Sequence, residues 1–200
     1  MNKKNRLRSL LFRIEKCFKC YKKFVNFQIA ERVRIRNWCN EGPWFYPPDE
    51  ELQIEGFFGT GKVMFIAERP STRAGRIPSL IDKKFYEILK ENGLGDSHLT
   101  DLIKCRGTVR ESKDDKDWAT RVENCFPFLL DEIKILKPEI IVAVGRTVER
   151  ELKRKRITEK FRVQWIPHYS YAFTRGIKKR MDRKIAQEIR RISLLVKNKA

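Results

Sequence analysis

The chain contains two uninterrupted apolar runs, Val63-Met64-Phe65-Ile66-Ala67 and Ile140-Ile141-Val142-Ala143-Val144. Five residues without polar alternation suit a strand covered on both faces, and the second run, entered through Glu139, is the strongest strand signal present. Leu99 to Ile103 and Phe161 to Ile166 read as two further strands. Between these segments the apolar period changes to that of a helix. Leu7, Leu10, Leu11 and Ile14 mark one helix over 4–16, and Leu80, Phe85, Ile88 and Leu89 mark a second that Gly93 can terminate. A third runs from about Trp118 to Leu136 and stops before Pro138, and a fourth from about Thr147 to Lys155, after a turn at Gly145. Met181, Ile185, Ile189, Ile192 and Val196 form an apolar stripe on a last helix at about 177–197, whose other faces are basic.

Strands alternating with helices predict an α/β fold. The expected form is a single domain of three layers, α/β/α, around a central, mostly parallel four-stranded sheet. Residues 1–61 read as an N-terminal helix and loop extension. Within it, Gly42, Pro43, Pro47, Pro48, Gly56, Gly59 and Gly61 break any long element, and Trp38, Trp44, Phe45 and Tyr46 are the expected anchors on the core. In a parallel sheet, sites gather beyond the carboxyl ends of the strands. Three segments fall there: Glu68-Arg69-Pro70-Ser71, the stretch Asp101 to Arg106, and His168-Tyr169-Ser170.

Charge narrows the choice of partner. Lys and Arg number 45 against 26 Asp and Glu, a net +19 with His neutral, far above the ~2–8 units usual for a small soluble domain. From Arg146 to Ala200 there are 18 Lys and Arg against 5 Asp and Glu, a local balance of +13. A one-signed excess of this kind points to a polyanion, nucleic acid before anything else, rather than to the mixed Lys and Glu surface of a thermophilic protein. No apolar run approaches the ~18 residues of a membrane span. The opening MNKKNRLRSLLFRIEKCFKC is basic but lacks the apolar core of a secretory signal. A cytoplasmic, nucleoid-associated, monomeric protein is the expectation.

Five cysteines in such a chain are more plausibly reduced, metal-bound or catalytic than a disulfide framework. Cys17-Phe18-Lys19-Cys20 is a CxxC; Cys105 and Cys125 follow, 20 positions apart, and Cys39 stands alone. Four thiolates suit tetrahedral zinc or a [4Fe–4S] cluster, and spacing alone does not choose between them. Without a metal, Cys105 would end a strand and Cys125 would sit on the inner face of a helix as a small hydrophobe. Lys104 and Arg106 flank Cys105, a setting that favours thiolate.

Taken together, VMFIAERPS at 63–71, DLIKCR at 101–106, CFPFLL at 125–130, KPEIIVAVGRT at 137–147 and PHYSYAF at 167–173, behind the CxxC, resemble the uracil-DNA glycosylase superfamily. The resemblance is closest to its iron–sulfur-containing family 4 type, common in thermophiles and bacteria, and spans about residues 14 to 175. It implies that Cys17, Cys20, Cys105 and Cys125 hold a [4Fe–4S] cluster in preference to zinc, with Cys39 outside the set. It places Glu68 beside the glycosidic bond, where it would position or activate water, and His168 on the O2 side of a flipped base. His98 receives no role.

The departures are as informative as the matches. Ala67, Arg69 and Ser71 replace residues of the family's GEAPG, Ser79 stands where a Phe stacks on the base, and Asp101 replaces the Asn that reads the uracil edge. The stacking surface is then missing or comes from elsewhere: Tyr169, Phe173 or an aromatic of the long loop. An Asn amide donates to uracil O4 while accepting from N3–H, whereas ionised Asp only accepts. Uracil would therefore require a neutral Asp101; such an acid would also suit cytosine, and hypoxanthine presents a similar edge in a larger base. The activity implied is monofunctional hydrolysis of the N-glycosidic bond of uracil or another deaminated base, flipped from duplex or taken from single-stranded DNA. Ser79, Asp101 and Tyr169 would read the base, and Arg69, Ser71, Ser170, Arg175, Lys178 and Lys179 would contact DNA. The alternative is an iron–sulfur nucleic-acid-binding protein of the same fold with weak or no catalysis.

Overall fold

The computed structural model describes residues 2–17, 19, 46–70, 80–104, 115–170 and 178–197, without the side chains of 115–117 and 178–181. Helix α1 is Lys3–Glu15. Asn2 caps it by accepting from the Asn5 N–H at 2.9 Å, and Leu7, Leu10 and Ile14 form its buried face. Strands β1 (Val63–Ala67), β2 (His98–Asp101), β3 (Ile140–Val144) and β4 (Arg162–Ile166) form one parallel sheet in the order β2-β1-β3-β4. The register pairs Ala67 with Asp101, Val63 with Ile140 and Val144 with Ile166.

Alternate side chains of β1 and β3 enter two separate cores. Met64, Ile66, Ile141 and Ala143 pack with α1, with α3 (Asp115–Leu136) and with α4 (Arg146–Arg154). Phe65, Ala67, Val142 and Val144 pack with α2 (Leu80–Glu91) and with Ile185, Ile189 and Ile192 of α5 (Lys178–Lys197). Burial on both faces is why these strands read as continuous apolar runs, and it produces the expected three layers around a four-stranded sheet. No helix among the described residues is long and apolar enough to cross a membrane.

Strand β2 is shifted toward the N-terminus of its expected span. Leu102 and Ile103 are fully buried. The Leu102 N–H closes the ladder on the Ala67 carbonyl at 2.8 Å, and the Ile103 N–H then departs from the alternating pattern to the Glu68 carbonyl at 3.1 Å, where the strand ends. Helix α3 begins three residues earlier than Trp118. Within the irregular stretch, 46–61 carries a 3-10 turn at Gly56–Phe58 and an isolated bridge between Asp49 and Ile54. The anchors Trp38, Trp44 and Phe45 lie outside the described residues.

Candidate active site

Because all four strands are parallel, their carboxyl ends share one edge. The order reverses between β1 and β3, the switch point where open α/β sheets bind ligands. Glu68 follows β1, Asp101 ends β2, Gly145 follows β3, and His168 lies just beyond β4. Gly145 has φ 98°, a left-handed backbone that costs glycine little, and a Cβ there would sit 3.5 Å from His168 Cβ. The β3 turn therefore packs directly under the imidazole.

His168 is half-buried. The Ser170 N–H donates to its Nδ1 at 3.2 Å, and Ser170 Oγ lies 2.8 Å from the same atom. A ring nitrogen that accepts a backbone N–H carries no proton, so the neutral imidazole holds its proton on Nε2. Burial lowers the His168 pKa to about 4, against the weaker upward pull of Asp82. The ring is thus a neutral donor across the physiological range. Ser170, expected to touch DNA, here fixes the tautomer.

Tyr169 holds that ring in place. It is 5% exposed and stacks on Phe85 at 4.5 Å and on His168 at 5.0 Å between centroids. Its hydroxyl donates to Asp82 Oδ1 at 3.0 Å and lies 2.9 Å from the Tyr46 hydroxyl. With the Tyr169 proton spent on Asp82, Tyr46 is the donor of that second bond. Burial first, and then neighbouring acids, raise both phenols well above their ordinary range. This differs from the expected base-reading role: the Tyr169 ring is covered by two neighbouring rings and supports His168. Tyr46 and Asp82 had no signal as site residues, since a turn aromatic and a helix-start acid acquire meaning only through this pairing.

Glu68 is half-buried, and its ion-pair partner among the described residues, Arg69 Nε, is 3.8 Å from Oε1, a long contact that leaves the carboxylate loosely held. Asp101 is 4% exposed, and its Oδ1 is buried with no hydrogen-bond partner among the described residues. Burial pushes its carboxyl well above the ordinary range; Lys104 pulls it down, while Asp82, Glu132 and Glu68 push it further up.

Behind β2 lies a buried polar cluster that sequence reading missed. Lys104 Nζ donates to Thr100 Oγ1 at 2.7 Å and to the Asp101 carbonyl at 2.6 Å. It lies 2.8 Å from Glu132 Oε1 and 3.0 Å from Oε2. Glu132, on α3, also meets His98 Nε2 at 3.5 Å. Burial raises the Glu132 pKa, but Lys104 and His98 outweigh it and hold the carboxylate below its ordinary value. His98, expected to have no role, is a member of this cluster.

Cys17 follows α1 and packs against the same core as Cys125 of α3. The Lys104 N–H points to Cys125 Sγ at 3.4 Å, which brings the residue before Cys105 to that sulfur. The segments carrying Cys17 and Cys125 and the one leading to Cys105 thus border one core, and four thiolates gathered there would suit an iron–sulfur cluster or zinc. Cys20 and Cys105 lie outside the described residues, and among those described no three candidate ligands gather. Ser71, Ser79, Phe173 and Arg175 also lie outside them, and Lys178 and Lys179 are described only as backbone of α5.

Comparison with known proteins agrees with this geometry. A family model described as the uracil DNA glycosylase superfamily matches residues 56–190. The chain is 31% identical over 117 residues to the type-4 uracil-DNA glycosylase of Pyrobaculum aerophilum, a match covering 56% of this chain and 57% of that protein. It is 27% identical over 129 residues to the type-4 uracil-DNA glycosylase of Thermotoga maritima, covering 60% of this chain and 61% of that protein. The match thus spans about three fifths of the length of these relatives. With the parallel sheet, its switch-point edge and the matched residues in agreement, the chain belongs to the uracil DNA glycosylase superfamily.

Proposed function

We propose that the protein is a monofunctional DNA glycosylase that hydrolyses the N-glycosidic bond of uracil in DNA. The observation that carries this reading is the pairing, on one sheet edge, of a loosely held carboxylate at Glu68 with a neutral imidazole whose proton is fixed on Nε2 at His168. As the bond breaks, the base takes up negative charge and the sugar becomes positive. The His168 Nε2–H donates to the base oxygen where charge accumulates, and needs no rearrangement to do so. Glu68 orients a water toward the sugar carbon and offsets the positive charge on the ring.

No amine is placed for a lyase step among the described site residues. Lys104 is buried, and its ammonium is committed to Thr100, Asp101 and Glu132. The product is then an abasic site with the strand intact. Cys17, Cys20, Cys105 and Cys125 would hold a [4Fe–4S] cluster, tying α1, the segment after β2 and α3 into one unit. When bound, the cluster supplies folding free energy rather than chemistry at the base. The basic α5 would track the DNA backbone, with the protein acting as a monomer.

The test is incubation with labelled single-stranded and duplex oligonucleotides containing one uracil. Free uracil and a strand that breaks only after alkali are expected. A wild type that binds DNA with its metal in place but releases no base would replace this reading with that of a nucleic-acid-binding protein.

A further inference from the structure

We propose that Asp101 acts as a neutral carboxylic acid whose O–H donates to the target base, making base recognition in this protein dependent on the protonation of one buried side chain. The inference rests on the glycosylase reading and concerns the same edge. Its geometric ground is that Asp101 ends β2 beside Glu68, is 96% buried, and leaves Oδ1 with no partner among the described residues. An unsatisfied buried oxygen is costly to leave unpaired, and that cost is removed when a ligand supplies the missing partner.

The surroundings set the protonation state. Among the described residues, Lys104 is the cation acting on the carboxyl, and it spends its N–H groups on Thr100 Oγ1, the Asp101 carbonyl and Glu132 rather than on the Asp101 side chain. Against it stand Asp82 from α2, Glu132 from α3 and Glu68 from the end of β1, together with burial itself. The phenols of Tyr46 and Tyr169 and the neutral His168 nearby add no positive charge. Burial, together with three acids facing a single shared cation, favours the acid over the carboxylate.

A neutral acid carries one donor and one acceptor on adjacent oxygens. Uracil presents N3–H beside O4, so the acid accepts the first and donates to the second. Hypoxanthine offers the same pair at N1–H and O6. Cytosine presents the reverse order, an acceptor at N3 beside an amino donor. With Oδ1 left without a partner among the described residues, the proton can sit on either oxygen, and the acid meets that edge too. The ionised form has only acceptors and faces O4 with like charge. The protein therefore accepts the uracil and cytosine edges with little preference, and recognition of uracil weakens as the acid ionises.

Single-turnover excision and equilibrium binding of oligonucleotides carrying uracil or cytosine, measured from pH 5 to 9, test this for wild type, Asp101→Asn and Asp101→Ala. In the wild type, uracil affinity and rate should fall as pH rises, approaching tenfold per unit above the pKa of the acid. Asp101→Asn should flatten that profile and raise the preference for uracil over cytosine by roughly tenfold to over a hundredfold, the worth of a bidentate base contact. Identical profiles and preferences in all three proteins would overturn the proposal while leaving the glycosylase reading intact. If the wild type excises no base, the glycosylase reading fails on its own. The binding arm still decides the role of Asp101: a pH-independent affinity unchanged in Asp101→Ala overturns it, and an Asp101-dependent loss of affinity with rising pH supports it.

Discussion

Glu132→Gln removes the carboxylate that, among the described residues, Lys104 contacts at salt-bridge distance, and its cost can be worked from the geometry. The charges approach to 2.8 Å with both side chains essentially inaccessible. At an effective dielectric of about 20 their attraction is roughly 6 kcal/mol, most of which is offset by the cost of taking both ions out of water. Removing one partner strands the other, and the usual penalty is about 3–5 kcal/mol. In a chain of this length 1 kcal/mol moves Tm by about 2–4 °C, so Glu132→Gln should melt roughly 10 °C below wild type. The Lys104→Met/Glu132→Leu double variant removes both charges at nearly constant volume and should recover most of the loss. Urea unfolding of the purified protein at pH 7 gives all the required free energies. A Glu132→Gln protein within 1 kcal/mol of wild type, or a double variant that loses the sum of the two single losses, would refute the claim that this is a coupled buried pair.

Further expectations concern pH, salt and metal. His168, with its pKa lowered to about 4, binds fewer protons when folded than when unfolded; its contribution to stability is complete above about pH 6.5 and is lost as pH falls toward 4. A ring-proton NMR titration with its midpoint near 6.5 would contradict the buried neutral imidazole. Asp101 has the opposite sign: its raised folded pKa makes stability decline as pH rises above the unfolded carboxylate value, so Asp101→Asn should flatten the stability profile on that side. Arg183, Lys184 and Arg191 are exposed on α5. Reversing all three should lower the slope of log affinity against log salt by up to about 0.9 per lost duplex-phosphate contact without changing base preference, and an unchanged slope would move the DNA interface elsewhere. Purified protein should carry about four iron and four sulfide per chain, as for one [4Fe–4S] cluster. Cys39→Ser should keep them and Cys105→Ser should lose them, whereas one zinc without sulfide would end the iron–sulfur assignment.

What could be read from the chain, and what could not, follows from where each signal resides. Strands β1 and β3 were legible because burial on both faces leaves five apolar residues in a row, a local property. The boundary of β2 was not: Leu102 and Ile103 are as buried as strand residues, but the Ile103 N–H breaks the alternating ladder by bonding the Glu68 carbonyl, and composition does not record hydrogen-bond direction. Glu68 and His168 were legible as residues just past strand ends and Asp101 as the start of a stretch at that edge, their roles coming from the resemblance, and the structure brings their segments to one edge. Tyr169 was legible as part of the site but not as a support for His168, because that depends on Phe85 and Asp82 from a distant helix. The cluster of Lys104, Glu132 and His98 was invisible for the same reason. Each residue alone looks like a surface charge or a stray histidine, and only their mutual contacts make burial tolerable.

The central claim is that Glu68 and His168 together form an excision site. It is tested most directly by single-turnover release of uracil from a single-stranded oligonucleotide by wild type, Glu68→Gln and His168→Ala at pH 7. Loss of one preorganised donor to a developing anion costs about 10²–10³ in rate. Wild type should therefore release uracil, and His168→Ala should be slower by about that factor while still binding the oligonucleotide. Glu68→Gln, which keeps the shape but loses the charge that orients water, should fall at least tenfold. Uracil release at the wild-type rate by both variants would contradict the account.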